Sequence, residues 1–328
     1  MALQDGFPSA SGLADANDVR LALAGLIVRD SSGNPRTGIF FRNTTALVTS
    51  TATMNSSVAA FEAAVSRAGQ GVILLPNNGA TNVLHDPAPV ANSRYDTIYV
   101  KQNDAVSPNA DANNLPVFGI LKGAPSASPT LPTYATAKVA LDAAPGIGAG
   151  AEPLTAVLIP STATSMQSAG VAYTQLYQYT ASAGGVVPFR TKAEMDLWTT
   201  APQFQRALDL ASGITYTRVA STWKGFSAGT LTMASGVVLA AGSSVVKDVN
   251  GIVTVNIEAA KASNFSANGE IGTLPVGFRP VINLGVVGAA FASGSSVMNL
   301  VNTTGLISMY SPPSSTLVRL SFSFLAAP

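Results

Sequence analysis

Strict alternation of apolar and polar side chains toward the C-terminus constrains this chain most. Val318, Leu320, Phe322 and Phe324 alternate with Arg319, Ser321 and Ser323. Val253, Val255 and Ile257 alternate in the same way with Thr254 and Asn256. A side-chain period of two belongs to a strand with one buried and one wetted face. From about Phe226 onward, turn residues break such segments at intervals, the pattern of a β-sandwich or jelly roll. No repeat of ~20–50 residues is present, which argues against a solenoid.

The rest of the chain is less regular. Val72–Leu75 and Arg94–Lys101 read as strands, and Ile214 to Trp223 as a short hairpin. One helix is predicted near residues 15–28, where Val19, Leu23, Leu26 and Ile27 share a face. A second is predicted over 56–68 from Val58, Phe61 and Val65, with Asn55 as cap and Gly69 as stop. A third begins at Thr191, with Glu194 three residues on as a capping box, carries Met195 and Trp198 on one face, and should end by Pro202. Residues 123–153 hold five prolines and the Gly146-Ile147-Gly148-Ala149-Gly150 run, so they read as an extended linker around a strand at Ala156–Ile159. The expected fold class is mainly β with a few short helices. Residues 1–185 form a β-rich N-terminal region, 186–225 a connector with a short helix, and 226–328 a C-terminal β-sandwich or jelly-roll-like domain.

Composition narrows the function. Only 11% of residues are charged, against about 25% in ordinary soluble domains. Apolar surface must therefore be covered by small polar residues or by neighbouring subunits. The net charge is +1 and basic residues are scattered singly, so nucleic acid is not an expected partner. Without cysteine there are no disulfides, thiolate metal sites or cysteine nucleophiles. The N-terminus lacks the basic and apolar regions of a signal peptide, predicting synthesis in the cytoplasm without a leader. The uncharged stretch Pro280–Val318 is broken by Asn, Gly and Ser, which suits strands and turns rather than a membrane helix.

Catalytic chemistry finds little to work with. The one histidine, His85, stands before Asp86-Pro87 and reads as a solvated turn residue, with no Gly-x-Ser-x-Gly elbow in the chain. The oxygen-rich loop Asn103–Asn114 lacks the ligand order of a calcium-binding hand and reads as a polar loop. No cofactor or metal site is expected. Glycan cleavage needs two placed carboxylates, and after Phe226 the acids are Asp248, Glu258 and Glu270. Glu258 and Glu270 are the pair such an enzyme would use; surface carboxylates are the plainer reading. Aromatic rings that could stack on sugar remain: Phe291 and Tyr310 in Ser/Gly/Pro-rich stretches, and Trp223, with Phe226, Phe265 and Phe278 as further rings.

Four local patterns occur in a set order. They are Ser93–Asp104; Phe118–Pro125 leading through Pro129 and Pro132 to Glu152–Pro160; Val187–Glu194 through Trp223; and Ile271–Pro280 with a closing strand at Leu317–Leu325. The last contains Leu274-Pro275-Val276-Gly277-Phe278-Arg279-Pro280. Together they resemble receptor-binding proteins and minor tail proteins at the tail tip and baseplate of tailed bacteriophages, in particular those infecting actinobacteria. The resemblance covers most of residues 55–328. It departs after Thr162, where Val171–Gln175 stands in place of an acidic–Arg pair. It implies a homotrimer in the virion, with residues 1–185 attached to other tail and baseplate proteins. It further implies that the C-terminal domain touches a host cell-surface glycan without catalysis. A purely structural baseplate subunit and a glycan-cleaving tail protein are the alternatives. Leu274, Pro275, Gly277, Phe278, Arg279 and Pro280 are read as scaffold, with the two prolines bracketing a tight turn and Arg279 donating to carbonyls.

Overall fold

The computed structural model describes residues 16–41, 46–67, 70–105, 109, 111–248, 250–265, 269–290, 296–311 and 316–327, with backbone alone at 288–290, 296–297 and 310–311. The chain is mainly β with short helices and divides into two units, Met1–Gly213 and Ile214–Pro328. The boundary falls inside the segment read as a connector.

The first unit contains α1 (Ala16–Ala24), β1 (Gly38–Phe40), β2 (Val48–Ser50), β3 (Asn55–Val58), β4 (Phe61–Ser66), β5 (Val72–Asn77), β6 (Thr81–Leu84), β7 (Ser93–Gln102) and β8 (Pro116–Leu121). It continues with α2 (Tyr134–Ala143), β9 (Ala151–Pro160), β10 (Ala172–Gln175), β11 (Tyr179–Thr180), β12 (Val186–Phe189), α3 (Lys192–Asp196) and β13 (Arg206–Asp209). One sheet runs β11-β1-β4-β5, a second β10-β9-β7-β8, and a third β2-β3-β6. Side chains from all three, among them Ile39, Val58, Phe61, Val83, Ile98, Leu154 and Ile159, meet in one core. Burying each of the larger ones contributes roughly 1.5–3 kcal/mol.

The outer faces of the first two sheets are covered as well. Ala24 and Ile27 pack on Ala64 and Val72, while α2 lays Ala137 and Leu141 against β9 and β7. Strands covered on both faces lose the alternation that betrays a strand. This explains the first correction: the described residues of 56–68 form no helix. They form β3 and β4, and β4 pairs with β5 from Phe61↔Asn77 to Ser66↔Val72. Gly69, read as the stop, lies outside the described residues. Val58, Phe61 and Val65 do face the core together, but Ala63 and Ala64 are buried too.

The second correction concerns residues 123–153. Pro132 and Pro145 bound a helix instead of excluding one. Thr133 caps α2 by accepting from Thr136 N at 3.2 Å, and Thr136 Oγ1 accepts from Thr133 N at 2.9 Å. The Gly146–Gly150 run is not a free linker, since the Ile147 carbonyl accepts from the buried Lys101 ammonium. α1 is shorter than expected and stops at Ala24, leaving Leu26 exposed. α3 is capped by Thr191, as its sequence requires, and buries Met195 and the following Trp198.

The second unit is all β among its described residues. It comprises β14 (Ile214–Val219), β15 (Thr222–Gly225), β16 (Ser227–Ala228), β17 (Thr232–Met233), β18 (Val237–Leu239), β19 (Ser244–Lys247), β20 (Ile252–Lys261), β21 (Glu270–Thr273), β22 (Leu284–Ala290), β23 (Ser296–Val301), β24 (Leu306–Ser311) and β25 (Leu317–Leu325). β14 and β15 form a hairpin. The remaining strands make one sheet in the order β16-β19-β20-β25-β22-β23-β24-β21-β17, with β18 also paired to β20. The sheet folds over on itself. Val253, Val255 and Ile257 from one half share a core with Ile271, Ile307 and Met309 from the other. β25 runs antiparallel to β20 over its whole length, and its Val318, Leu320 and Phe324 point inward as the alternation requires.

Candidate functional site

The site is built on the turn that follows β21. Leu274 is fully buried and anchors this turn in the core. Phe278 N donates to Pro275 O at 3.1 Å, closing a four-residue turn with Gly277 at φ +84°. A positive φ at the third position is the type II arrangement, in which glycine avoids a Cβ clash. Arg279 Nε donates to Leu274 O at 3.3 Å, and Ala327 N donates to Arg279 O at 2.7 Å. Pro280 bridges to Ala326. The arginine thus pins the turn through a carbonyl, and the turn carries Gly277 and Phe278 to the surface.

Beside it lies an open cavity of about 480 Å³, within the ~300–1,000 Å³ typical of small-molecule sites. The β14–β15 hairpin contributes Tyr216 and Trp223 to its wall, followed by Phe226; the turn contributes Phe278. Lys247, Asp248 and Asn250 bring polar groups. Lys247 Nζ donates to Gly277 O at 2.8 Å, which ties β19 to the turn. Asp248 Oδ1 accepts from Asn250 N and Ile252 N at 2.9 and 2.8 Å, which orders the loop. Phe226 is 57% exposed, whereas Trp223 is only 6% exposed, with the Arg218 guanidinium 5.5 Å from its ring. Apolar ring faces beside amide and ammonium donors suit a hydroxylated ring, with its C–H face on an aromatic and its hydroxyls on the polar groups.

The structure therefore joins Trp223 to Phe226, Gly277 and Phe278. Phe291 lies outside the described residues, and Tyr310 sits in β24 with its side chain outside them. Glu258 and Glu270 are not brought together along the sheet. β25, β22, β23 and β24 stand between their strands, and Glu258 is paired with Arg319 directly across on β25.

His85 overturns its sequence reading. It is 2% exposed, not a solvated turn residue. Its Nε2 lies 2.8 Å from Ser56 Oγ and its Nδ1 3.2 Å from Asp96 Oδ2, a serine–histidine–aspartate chain. Ser56 Oγ is also 2.8 Å from Tyr173 OH. A carboxylate only accepts, so Nδ1 donates to Asp96; with a neutral ring, Ser56 donates to Nε2 and Tyr173 to Ser56. Asp96 accepts further from Arg94 Nε at 2.8 Å, Arg94 Nη2 at 3.2 Å and Gly123 N at 3.3 Å. Gly123 is held close, since a Cβ there would meet Tyr95 O at 2.0 Å. Burial alone would raise the Asp96 pKa, but the hydrogen bonds from His85 and Arg94 and the arginine charge hold it below the usual carboxylate value. Acyl transfer would require Ser56 Oγ to reach a substrate, yet Ser56 is fully buried and its hydroxyl is engaged on both sides. The arrangement is a charge-compensated polar core that ties β3 to β7 and β10.

The oxygen-rich loop is likewise tied down. Asp104 accepts from Arg20 Nη1 at 2.6 Å, while Asp111 accepts from Arg67 Nη2 at 2.6 Å and Lys101 Nζ at 2.7 Å. Among the described residues no cluster of three or more metal-ligating side chains occurs. No described helix is long and apolar enough to cross a membrane. A scan against protein-family models finds no match, and neither does a search of curated proteins.

Proposed function

We propose that this chain is a receptor-binding protein of a bacteriophage tail tip, acting as a non-catalytic homotrimer whose second unit holds a host cell-wall glycan. The observation that carries the reading is the cavity walled by Tyr216, Trp223, Phe226 and Phe278 and edged by Lys247 and Asn250. Aromatic faces next to polar groups are what sugar recognition needs; Phe226 is the exposed ring, and the turn built from Leu274 to Pro280 positions Phe278. The scarcity of charge agrees with a chain that covers apolar surface by association, as a trimer would. In this reading the first unit attaches to other tail and baseplate proteins.

The test is binding of the intact protein to purified actinobacterial wall polysaccharide. Phe226→Ala and Lys247→Ala should each weaken binding about tenfold or more while leaving the circular dichroism spectrum unchanged. Variants that bind as well as the parent would overturn the assignment of the cavity. An intact protein that binds no wall polysaccharide would favour a purely structural tail subunit. Release of reducing sugar ends, lost in Glu258→Gln, would instead favour a glycan-cleaving protein. Light scattering should give about three times the 33.3 kDa of one chain.

A further inference from the structure

A second cavity, of about 450 Å³, opens in the first unit and is unrelated to the glycan reading above. Arg36, Tyr134, Phe189, Leu197 and Trp198 are among its lining residues. The Arg36 guanidinium lies over the Trp198 ring at 4.3 Å and the Phe189 ring at 5.1 Å. Its Nε donates to Tyr179 O at 2.9 Å. Stacking and this bond fix the plane of the fork, and Nη1 and Nη2 make no hydrogen bond among the described residues.

Among the described residues no carboxyl group hydrogen-bonds the Arg36 fork. Glu194 is engaged by Arg190, through Nη1 at 2.7 Å and the backbone N at 2.8 Å. Glu152 is fully buried; one oxygen accepts from Tyr134 OH at 3.2 Å and the other has no partner among the described residues. Burial pushes the Glu152 pKa up to about 8, so it is largely neutral at pH 7. Burial lowers the Arg36 pKa to about 10, which still leaves a cation. With Glu194 held by Arg190, the Arg36 fork offers a carboxylate two parallel donors in a cavity the size of one small molecule.

We propose that this cavity binds a small hydroxylated monocarboxylate, its carboxylate forked onto Arg36 Nη1 and Nη2. A single cation matches a single negative charge. A phosphate dianion would bring twice that charge to a cavity that Asp30 also lines, with Arg36 as the one cation among its described lining residues. Thr37, Gln178 and Thr199 supply polar lining for hydroxyls.

The experiment titrates the intact protein in a Trp223→Phe background, so that Trp198 alone reports by fluorescence. D-glucuronate, D-glucose and inorganic phosphate are the probes. Glucuronate should bind saturably and at least about tenfold more tightly than either of the others, since glucose shares the ring and lacks the carboxylate. Arg36→Gln should abolish that preference, and Arg36→Lys, which keeps the charge and loses the fork, should reduce it. Equal affinity for glucuronate and glucose, tighter binding of phosphate, or an unchanged preference in Arg36→Lys would overturn the proposal. Wall-polysaccharide binding by Arg36→Gln and Arg36→Lys made with Trp223 intact should match the parent, so failure here is distinct from failure of the glycan reading.

Discussion

Replacing Asp96 by alanine should destabilise the first unit by about 4 kcal/mol. The figure follows from what the carboxylate holds. Arg94 is 1% exposed and gives two of its hydrogen bonds to Asp96; its others go to Pro87 O and Asp86 O at 2.9 Å. Removing one partner of a buried ion pair costs roughly 3–5 kcal/mol, because the remaining charge is left without compensation. The loss of the His85 contact adds to this, while water entering the vacated space offsets part of it. Asp96→Asn keeps the shape and one acceptor and should fall between parent and alanine. The pH dependence gives an independent check. The folded-state pKa of Asp96 lies below 3.8, so its contribution is present above that value and is lost as pH falls through the folded one. The gap between parent and Asp96→Asn should therefore narrow on acidification below about pH 3.8. Guanidinium unfolding followed by Trp198 fluorescence, again with Trp223→Phe, isolates the first unit. An alanine cost under about 1 kcal/mol, or a gap constant from pH 3 to 6, would refute this account of the polar core.

Two further outcomes are expected. Glu152 has its folded pKa raised from 4.5 to about 8, so its stabilising contribution is full below about pH 4.5 and is lost as pH rises toward 8. Glu152→Gln should remove that decline and be the more stable form at pH 8, by a few kcal/mol in order of magnitude, as thermal melts across the range would show. Gly277→Ala should cost about 1–2 kcal/mol of stability in the second unit, wholly from its φ of +84°, because a Cβ there meets nothing within 4 Å. Chemical unfolding of the intact chain measures it.

The legible parts of this fold are those with one wet face. β20 and β25 announce themselves because solvent on one side keeps Asn256, Ser321 and Ser323 polar while the core takes Val255 and Leu320. β4 does not, because α1 covers one face and the core the other, so its alanines and widely spaced large residues imitate a helical stripe. α2 was hidden by prolines that border it. The scaffold role of Arg279 could be read locally, since its target carbonyl is five residues away. His85 could not, because its partners Ser56, Asp96 and Tyr173 reach it only through the pairing of distant strands. For the same reason Phe226 stood as one ring among several until the hairpin and the Leu274–Pro280 turn placed Trp223 and Phe278 beside it.

The position of β25 bears on how the second unit assembles. Among the described strands, β25 alone stands between β20 and β22 in the hydrogen-bonded order. Its pairing with β20 joins residues such as Ile257 and Leu320, more than sixty positions apart. Closing so long a loop is slow, and until it closes the two halves of the sheet remain separate hairpin assemblies. During that interval β20 and β22 each expose an unpaired edge able to accept a strand from another copy. Late insertion of one central strand would then decide between a completed unit and an exchanged or aggregated one.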